Sequence, residues 1–262
     1  MNVYVAGNGP KTLVFLSGSG TSSPILDFKS LYSKLVKDYR VVVVEKFGYG
    51  FSDDWSKDRD LDTILSQTRK ALQKADVKGP YILLPHSMSG LEALHWSASY
   101  PKEVEAIIGL DMSLPQAFDK YRANQLLYKT LQLAANLGLS RWLYSPDKEI
   151  HSLSNGSLNP KEKSIYKALF YRRPLSNAII KEAEEVKSNA KLVKQDKFPA
   201  IPYLLFVSNG QGTGFAKQDW QDMSKDFAKE HKNVQLKSFD VPHYIHSYIP
   251  DELAKEIRKF LK

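Results

Sequence analysis

The chain has no cysteine among its 262 residues. Disulfide bonds and thiolate chemistry are therefore excluded, and the absence favours a cytoplasmic protein because cytosolic proteins rarely carry disulfides. Long apolar runs are also missing, since none reaches the ~18 residues of a membrane-spanning helix, and no basic-then-apolar leader opens the chain. We therefore expect a soluble, cytoplasmic protein without a membrane-spanning segment. A leader or anchor missing from this sequence would also be compatible with these observations, because the first predicted strand starts at residue 3.

The formal charge of +8 raises the question of an anionic partner. Residues 112–197 hold 15 Lys or Arg against 8 Asp or Glu, an excess of 7. Opposite charges are interleaved along the predicted helices there, as in residues 181–185, and no nucleic-acid-binding motif or basic stripe with aromatic partners is visible. The pattern predicts a solvated helical surface, and nucleic acid is not expected as a partner.

Segments typical of strands and of helices alternate along most of the chain. Seven segments have the composition of strands, and residues 41–44 are four consecutive valines, as in a strand buried on both faces. The strand segments are residues 3–5, 12–16, 40–44, 81–84, 106–110, 203–207 and 234–239. The alternation with amphipathic helices predicts an α/β fold, a mostly parallel sheet with helices on both faces.

One long segment interrupts this alternation. Residues 112–197 show only helical periodicity, and the strand pattern resumes after Pro199. We therefore expect one core domain made of residues 1–111 and 198–262, with residues 112–197 inserted as a helical cap (lid).

Small or polar residues follow several of the predicted strands. In open parallel sheets, ligands bind at the carboxyl ends of the strands, so these segments are candidates for a site. They are residues 17–21, residues 45–53, Ser87, Asp111 and residues 240–246. Serine, carboxylate and histidine each follow a different strand, in the order Ser, Asp, His.

Ser87 lies in a turn that joins a predicted strand to a predicted helix. A serine in such a turn, usually in the pattern G-x-S-x-G, forms a nucleophile elbow. Pro85 and Ser89 occupy the two glycine positions here, so the pattern alone fits an ordinary helix N-cap equally well. The polar residues that follow the other predicted strands favour the nucleophile elbow.

Taken together, these motifs resemble the α/β-hydrolases over nearly the whole chain, from Asn2 to Leu261. The resemblance rests on the Ser17-Gly18 loop, residues 48–53, the elbow at Ser87 and His243 before the C-terminal helix. It implies an eight-stranded sheet, a lid over the site, and acyl-transfer chemistry on a small-molecule substrate with neither a metal nor an organic cofactor.

The catalytic triad assigned here is Ser87 as nucleophile, His243 as base and Asp111 as acid. A serine hydroxyl needs a base to accept its proton, and the base needs a carboxylate to fix its tautomer. In many α/β-hydrolases the acid follows the strand after the lid, but here that strand leads into residues 208–214, which hold no carboxylate. In other members the acid directly follows the strand after the elbow, and this resemblance implies Asp111. The alternatives left open are Asp219, Asp222 or Asp240 as the acid and His246 as the base. His243 and His246 are separated by three residues, and this spacing alone is poor evidence for a metal site.

An oxyanion hole is expected from two backbone N–H groups. By analogy with the family, one belongs to Met88, directly after the nucleophile. The other is expected from the loop after the second strand, where Ser19 is favoured over Gly18. Ser17 replaces the family's loop histidine and leaves these backbone donors untouched.

The default activity is that of a serine esterase acting on small or medium acyl groups. The alternatives are a peptidase, amidase or acyltransferase with the same triad, and a non-catalytic ligand-binding protein of the fold. Apolar residues of the insertion either line an acyl pocket or pack the lid on the core. They are Phe118, Tyr121, Leu126, Leu127, Tyr128, Leu131, Trp142, Leu143 and Tyr144.

Overall fold

The computed structural model describes residues 1–139, 145–172 and 175–262. Within these residues, seven strands form one sheet in the order β1-β3-β2-β4-β5-β6-β7. The strands are β1 (Asn2–Ala6), β2 (Thr12–Leu16), β3 (Arg40–Glu45), β4 (Tyr81–Ser87), β5 (Val104–Met112), β6 (Tyr203–Val207) and β7 (Val234–Ser238). All neighbouring pairs are parallel except β1 and β3. The predicted α/β class with a mostly parallel sheet is confirmed.

The sheet has seven strands in the described residues, whereas the resemblance implied eight. The seven strands are those that the residue pattern predicts. β1 lies at one edge and pairs with β3 alone, and no described segment adds a strand on its outer side. The eighth strand was an expectation from the family.

Helices cover both faces of this sheet. They are α1 (Pro24–Asp27), α2 (Lys29–Leu35), α3 (Leu61–Lys74), α4 (Ser89–Ser99), α5 (Gln125–Asn136), α6 (Pro146–Glu149), α7 (Pro160–Arg172), α8 (Asn177–Val193), α9 (Lys217–Glu230), α10 (Ile245–Tyr248) and α11 (Pro250–Phe260). Alternate valines of β3 point to opposite faces. Val42 and Val44 pack in the core cluster under α3, α4, α8 and α9, while Val41 and Val43 pack in the cluster under α2 and α11.

The described helices between β5 and β6 are α5 to α8, as expected of an insertion. The last of them, α8, packs directly on the sheet, since Val186, Ala190 and Val193 belong to the same cluster as Val42. The division into core and cap domains stays a prediction.

A buried charge cluster joins α8 to the rest of the fold. Glu182 of α8 accepts hydrogen bonds from Lys46 Nζ at 2.6 Å and from the Tyr49 hydroxyl at 2.6 Å. Arg59 Nη2 lies 3.7 Å from the same carboxylate, and Lys46 Nζ lies 3.6 Å from Glu92 of α4. Burial opposes ionisation of Glu182, but the charges of Lys46 and Arg59 hold its pKa below the ordinary value. Burial raises the pKa of Glu92, and the cation of Lys46 opposes this effect. Two cations thus face two carboxylates inside the protein.

We expect Glu182→Gln to lower the free energy of unfolding by roughly 3–5 kcal/mol, because it leaves two buried cations facing only one carboxylate. Urea unfolding followed by circular dichroism measures this change. Glu184→Gln on the same helix is the matched control, since Glu184 pairs with the half-exposed Lys181, and surface pairs contribute little. Equal effects of the two substitutions would contradict the proposed importance of the cluster.

Candidate active site

Ser87 ends β4 and has a φ of +55°, a left-handed conformation that is uncommon for a residue with a side chain. α4 begins two residues later, at Ser89. The chain therefore turns sharply at Ser87. Asp111, near the end of the neighbouring β5, also has a positive φ, of +54°. Such strain persists where the surrounding structure fixes the backbone, and it gathers at functional sites.

Ser89, one of the two departures from the glycine pattern, supports the turn. Its buried hydroxyl lies 2.7 Å from the Leu16 carbonyl and 2.9 Å from the His86 carbonyl, and it accepts the His86 N–H at 3.0 Å. The hydroxyl at this glycine position therefore has hydrogen-bond partners on both sides of the turn. At Gly90, a Cβ would stand 2.3 Å from the Ser113 carbonyl, so this position requires glycine. Pro85, the other departure, lies within β4 in register with Leu16.

The carboxylate of Asp111 accepts hydrogen bonds from three separate segments. Its Oδ1 accepts the Ser208 N–H at 2.7 Å and the indole N–H of Trp220 at 2.8 Å. Its Oδ2 lies 2.5 Å from Nδ1 of His243. The carboxylate is buried, so these donors replace the water that would otherwise solvate its charge.

The contact with Asp111 assigns the tautomer of His243. An ionised carboxylate only accepts, so Nδ1 carries the proton and Nε2 is left with a lone pair. His243 follows β7, and it lines the same cavity as Ser87. The structure therefore brings the three residues of the predicted triad to one edge of the sheet, and the Ser-Asp-His assignment stays a prediction of their roles.

The residues predicted to form the oxyanion hole border Ser87. Ser19 and Met88 line the cavity with it. A Cβ at Gly18 would stand 2.6 Å from Cβ of Ser87, so the loop after β2 passes directly against the serine. Ser17 is fully buried, and its hydroxyl has no hydrogen-bond partner within the described residues. Its side chain therefore does not replace the contacts of a loop histidine.

Two buried histidines adjoin His243. The His86 ring lies with its centroid 4.6 Å from the His243 ring and 4.8 Å from the His246 ring. Nε2 of His86 donates to the His243 carbonyl at 3.2 Å, which fixes its tautomer, because a carbonyl can only accept. Burial holds the pKa of His86 well below its ordinary value, and burial lowers the pKa of His246 to about 3. Both rings are neutral, and His86 supports the backbone of His243.

The alternative acids and the alternative base make no described contact that would place them in the triad. Asp219 and Asp222 line the cavity from α9, but the described contacts of His243 include neither of them. Asp240 is exposed and bonds to Asn209 and Lys217. The ring nitrogens of His246 have no partner in the described part of the chain, and this residue lines neither of the cavities that border His243.

Two cavities meet at His243. The larger has a volume of about 950 Å³ and is lined by Ser87, Ser19 and Met88, with apolar walls from Phe118 and Tyr121. The smaller, of about 490 Å³, is lined by His243 and Tyr244, with Tyr166 and Tyr248 on its walls.

Only some of the apolar residues of the insertion line the cavities of this site. Phe118 and Tyr121 line the larger cavity, as one of the two sequence interpretations expected. The expectation is wrong for Leu126, Leu127 and Leu131, which are exposed. Tyr128 lines neither of the two cavities, and its hydroxyl contacts that of Tyr121. The remaining three, Trp142, Leu143 and Tyr144, lie outside the described residues.

Sequence reasoning missed two residues that hold Asp111. Ser208 was noted only as part of a segment without a carboxylate, and Trp220 was not considered. The Trp220 ring also packs edge-on to His243, with the centroids 5.7 Å apart. A tryptophan four residues into the helix after β6 was the available signal, but its indole direction depends on the rotation of α9.

Comparison with known proteins places this geometry in a family. The chain belongs to the α/β hydrolase fold family, whose model matches residues 11–232. It is 34% identical to the uncharacterized protein YbdG of Bacillus subtilis over 269 aligned residues, which cover 100% of this chain and 82% of YbdG.

Solved structures agree on the fold. A thermophilic esterase from Thermogutta terrifontis matches with a TM-score of 0.69 and 15% identity, covering 99% of this chain and 92% of its own. A loop variant of the haloalkane dehalogenase DbeA from Bradyrhizobium elkanii matches with a TM-score of 0.65 and 15% identity, covering 99% and 91%. At such identities these likenesses establish the fold alone.

No helix of the described residues combines the length and apolar character needed to cross a membrane. No group of three or more histidine, cysteine, aspartate or glutamate side chains is placed to hold a metal ion in that part of the chain.

The neutral His246 predicts a pH-dependent stability. In the unfolded chain this histidine titrates near 6.5, whereas its pKa in the folded protein is about 3. Between these values only the unfolded state binds the proton, so acidification lowers the free energy of unfolding by about 1.4 kcal/mol per pH unit for this group. His246→Phe keeps a ring against Phe28 and is expected to lose that part of the slope, measured by urea unfolding from pH 7 to pH 4.5.

The comparison with wild type isolates this one group. Asp27, whose pKa burial raises to about 7, contributes with the opposite sign in both proteins and cancels in the difference. His231→Phe, at a partly exposed ring that packs on Phe227, serves as the control. Parallel stability curves for wild type and His246→Phe would refute the buried neutral histidine.

Proposed function

We propose that the protein is a serine hydrolase that cleaves carboxylic esters of small or medium acyl groups through an acyl-enzyme intermediate on Ser87. The observation that carries this proposal is the strained Ser87 at the strand-to-helix turn, in a cavity that it shares with a histidine held by Asp111. A strained serine beside an oriented histidine is the arrangement that nucleophilic acyl transfer requires.

The proposed reaction has two steps. In the first, Nε2 of His243 takes the hydroxyl proton as Ser87 Oγ attacks the ester carbonyl, and the imidazolium then protonates the departing alcohol. In the second, His243 takes a proton from water, whose oxygen attacks the acyl carbon, and the acid leaves as Ser87 regains its proton. Asp111 stabilises the imidazolium in both steps. The negative oxygen of each tetrahedral intermediate binds to the backbone N–H groups of Met88 and Ser19.

In this proposal, each of the two cavities binds one part of the ester. The larger one borders Ser87 and both oxyanion donors, so it takes the acyl group, with Phe118 and Tyr121 as apolar walls. The smaller one borders His243, which protonates the leaving group, so it takes the alcohol. Residues 112–197 act as the cap over the site, since Phe118, Tyr121 and Val186 belong to them. A serine nucleophile does not fit dehalogenase chemistry, which in this family uses aspartate.

Ser87→Ala is expected to abolish turnover of nitrophenyl esters and covalent labelling by a fluorophosphonate, because both require the Ser87 hydroxyl. A panel of esters that varies the acyl and alcohol parts separately measures the rates, and intact-protein mass spectrometry measures the label. Ser113→Ala is the control, since Ser113 lines the same cavity outside the proposed triad. Wild-type protein that neither hydrolyses any ester nor takes up label would argue for a non-catalytic binding protein.

Trp220→Phe is expected to lower kcat by roughly 10- to 100-fold with little change in KM, because it removes one charge-assisted hydrogen bond from Asp111. Steady-state kinetics on the best ester of the panel separates the two constants. Trp55→Phe is the matched control, since the buried indole N–H of Trp55 has no partner within the described residues. If Trp220→Phe raised KM alone, Trp220 would act as a wall of the pocket and not as a positioning residue.

A further inference from the structure

Exposed apolar side chains concentrate on α5 and the turn after it. Eleven large hydrophobic side chains of the described residues are exposed, and six of them are leucines between residues 126 and 139. Leu126 is 79% exposed, Leu133 60% and Leu137 67%. Single exposed apolar residues are normal on a protein surface, but a contiguous group marks an interaction site.

The orientation of α5 is the reverse of that of an ordinary surface helix. At 100° per residue, Leu126, Leu127, Leu131, Leu133 and Leu137 occupy one half of its circumference. This half faces outward.

The opposite, polar half of α5 holds the helix on the protein. The side-chain amide of Gln132 donates to the Leu175 carbonyl at 2.8 Å and to Asn177 Oδ1 at 3.2 Å. The hydroxyl of Tyr128 lies 2.6 Å from that of Tyr121. The helix is anchored by its polar side chains, and its leucines are left for a partner.

Charges around α5 identify that partner. Residues 120–139 contain three basic residues and no acidic one. These basic residues, Lys120, Arg122 and Lys129, are exposed, and Asp119 just before them pairs with Lys194. A helix with an apolar face and basic flanks has the composition of helices that lie in the surface of anionic membranes. A symmetric pairing of two copies through this face would bring like charges together without an acidic partner from this stretch, which opposes a dimer.

We propose that the leucine face of α5 docks on an anionic phospholipid surface. The apolar side chains enter the acyl boundary while the basic residues contact the head groups. Lys120 and Tyr121, which precede α5, also line the larger cavity, so docking brings this cavity close to the lipid. The substrates are then esters presented at that surface; this consequence rests on the proposed function, whereas the docking does not.

Vesicle co-sedimentation tests the proposal directly. Wild-type protein is expected to bind vesicles of phosphatidylcholine with one quarter phosphatidylglycerol, and to bind pure phosphatidylcholine more weakly. Binding should weaken as salt rises, because the head-group attraction is screened. Ser87→Ala is expected to bind as wild type does, which separates this result from the fate of the proposed hydrolase activity.

Two sets of variants assign the binding to α5. The triple variant Leu126→Gln, Leu133→Gln, Leu137→Gln is expected to lose at least about tenfold in affinity without a lower melting temperature, because the leucines are exposed. The matched control is Phe51→Gln, a 55% exposed aromatic in the segment after β3.

For the charges, Arg122→Gln with Lys129→Gln is expected to lose about 30-fold on phosphatidylglycerol vesicles. Lys37→Gln with Lys74→Gln, which changes the net charge equally at exposed positions, is the control.

Three results would overturn the proposal. The first is a failure of wild-type protein to sediment with phosphatidylglycerol vesicles. The second is equal binding by the leucine variant and wild type. The third is a wild-type dimer, seen by light scattering, that the leucine variant converts to a monomer in the absence of vesicle binding, which would assign the face to a second copy.

Discussion

The arrangement at the carboxyl edge of the sheet depends on the need to solvate one buried carboxylate. Asp111 receives the N–H of Ser208 after β6, the indole of Trp220 on α9 and the imidazole of His243 after β7. These donors stand 97 to 132 residues from Asp111 in the chain. Loss of any donor leaves part of the charge unsolvated in a low-dielectric interior, so the carboxylate stabilises the relative positions of three segments.

Glu182 has the same role for the insertion that Asp111 has for the strand ends. Its carboxylate holds Lys46, Tyr49 and Arg59, which all follow β3. The Tyr49 hydroxyl also lies close to Ser19, in the loop against Ser87. The insertion and the loop beside the serine therefore meet at the same tyrosine.

The sequence could predict the features that depend on residue pattern and order along the chain. Parallel strands bring their carboxyl ends to one edge, so Ser87, Asp111 and His243 could be placed together from the strand assignment alone. The contacts of Trp220 could not be predicted from the sequence, because they depend on how far α9 is rotated about its axis. Composition predicted the paired charges of the insertion as a solvated surface, and that was wrong for Glu182, whose partners Lys46 and Arg59 lie more than 100 residues earlier in the chain.

The same limit explains α5. Periodicity identifies an amphipathic helix and its two faces. It does not show what the apolar face packs against, although the core is the usual partner. In α5 the polar face finds partners inside the protein, namely Tyr121 for Tyr128 and Leu175 for Gln132. The five leucines can therefore gain the free energy of burial only by contact with a surface outside the chain. Because this stretch has basic residues and no acidic ones, the complementary surface is anionic. The outward-facing leucines are then a binding feature of the helix and not a packing defect.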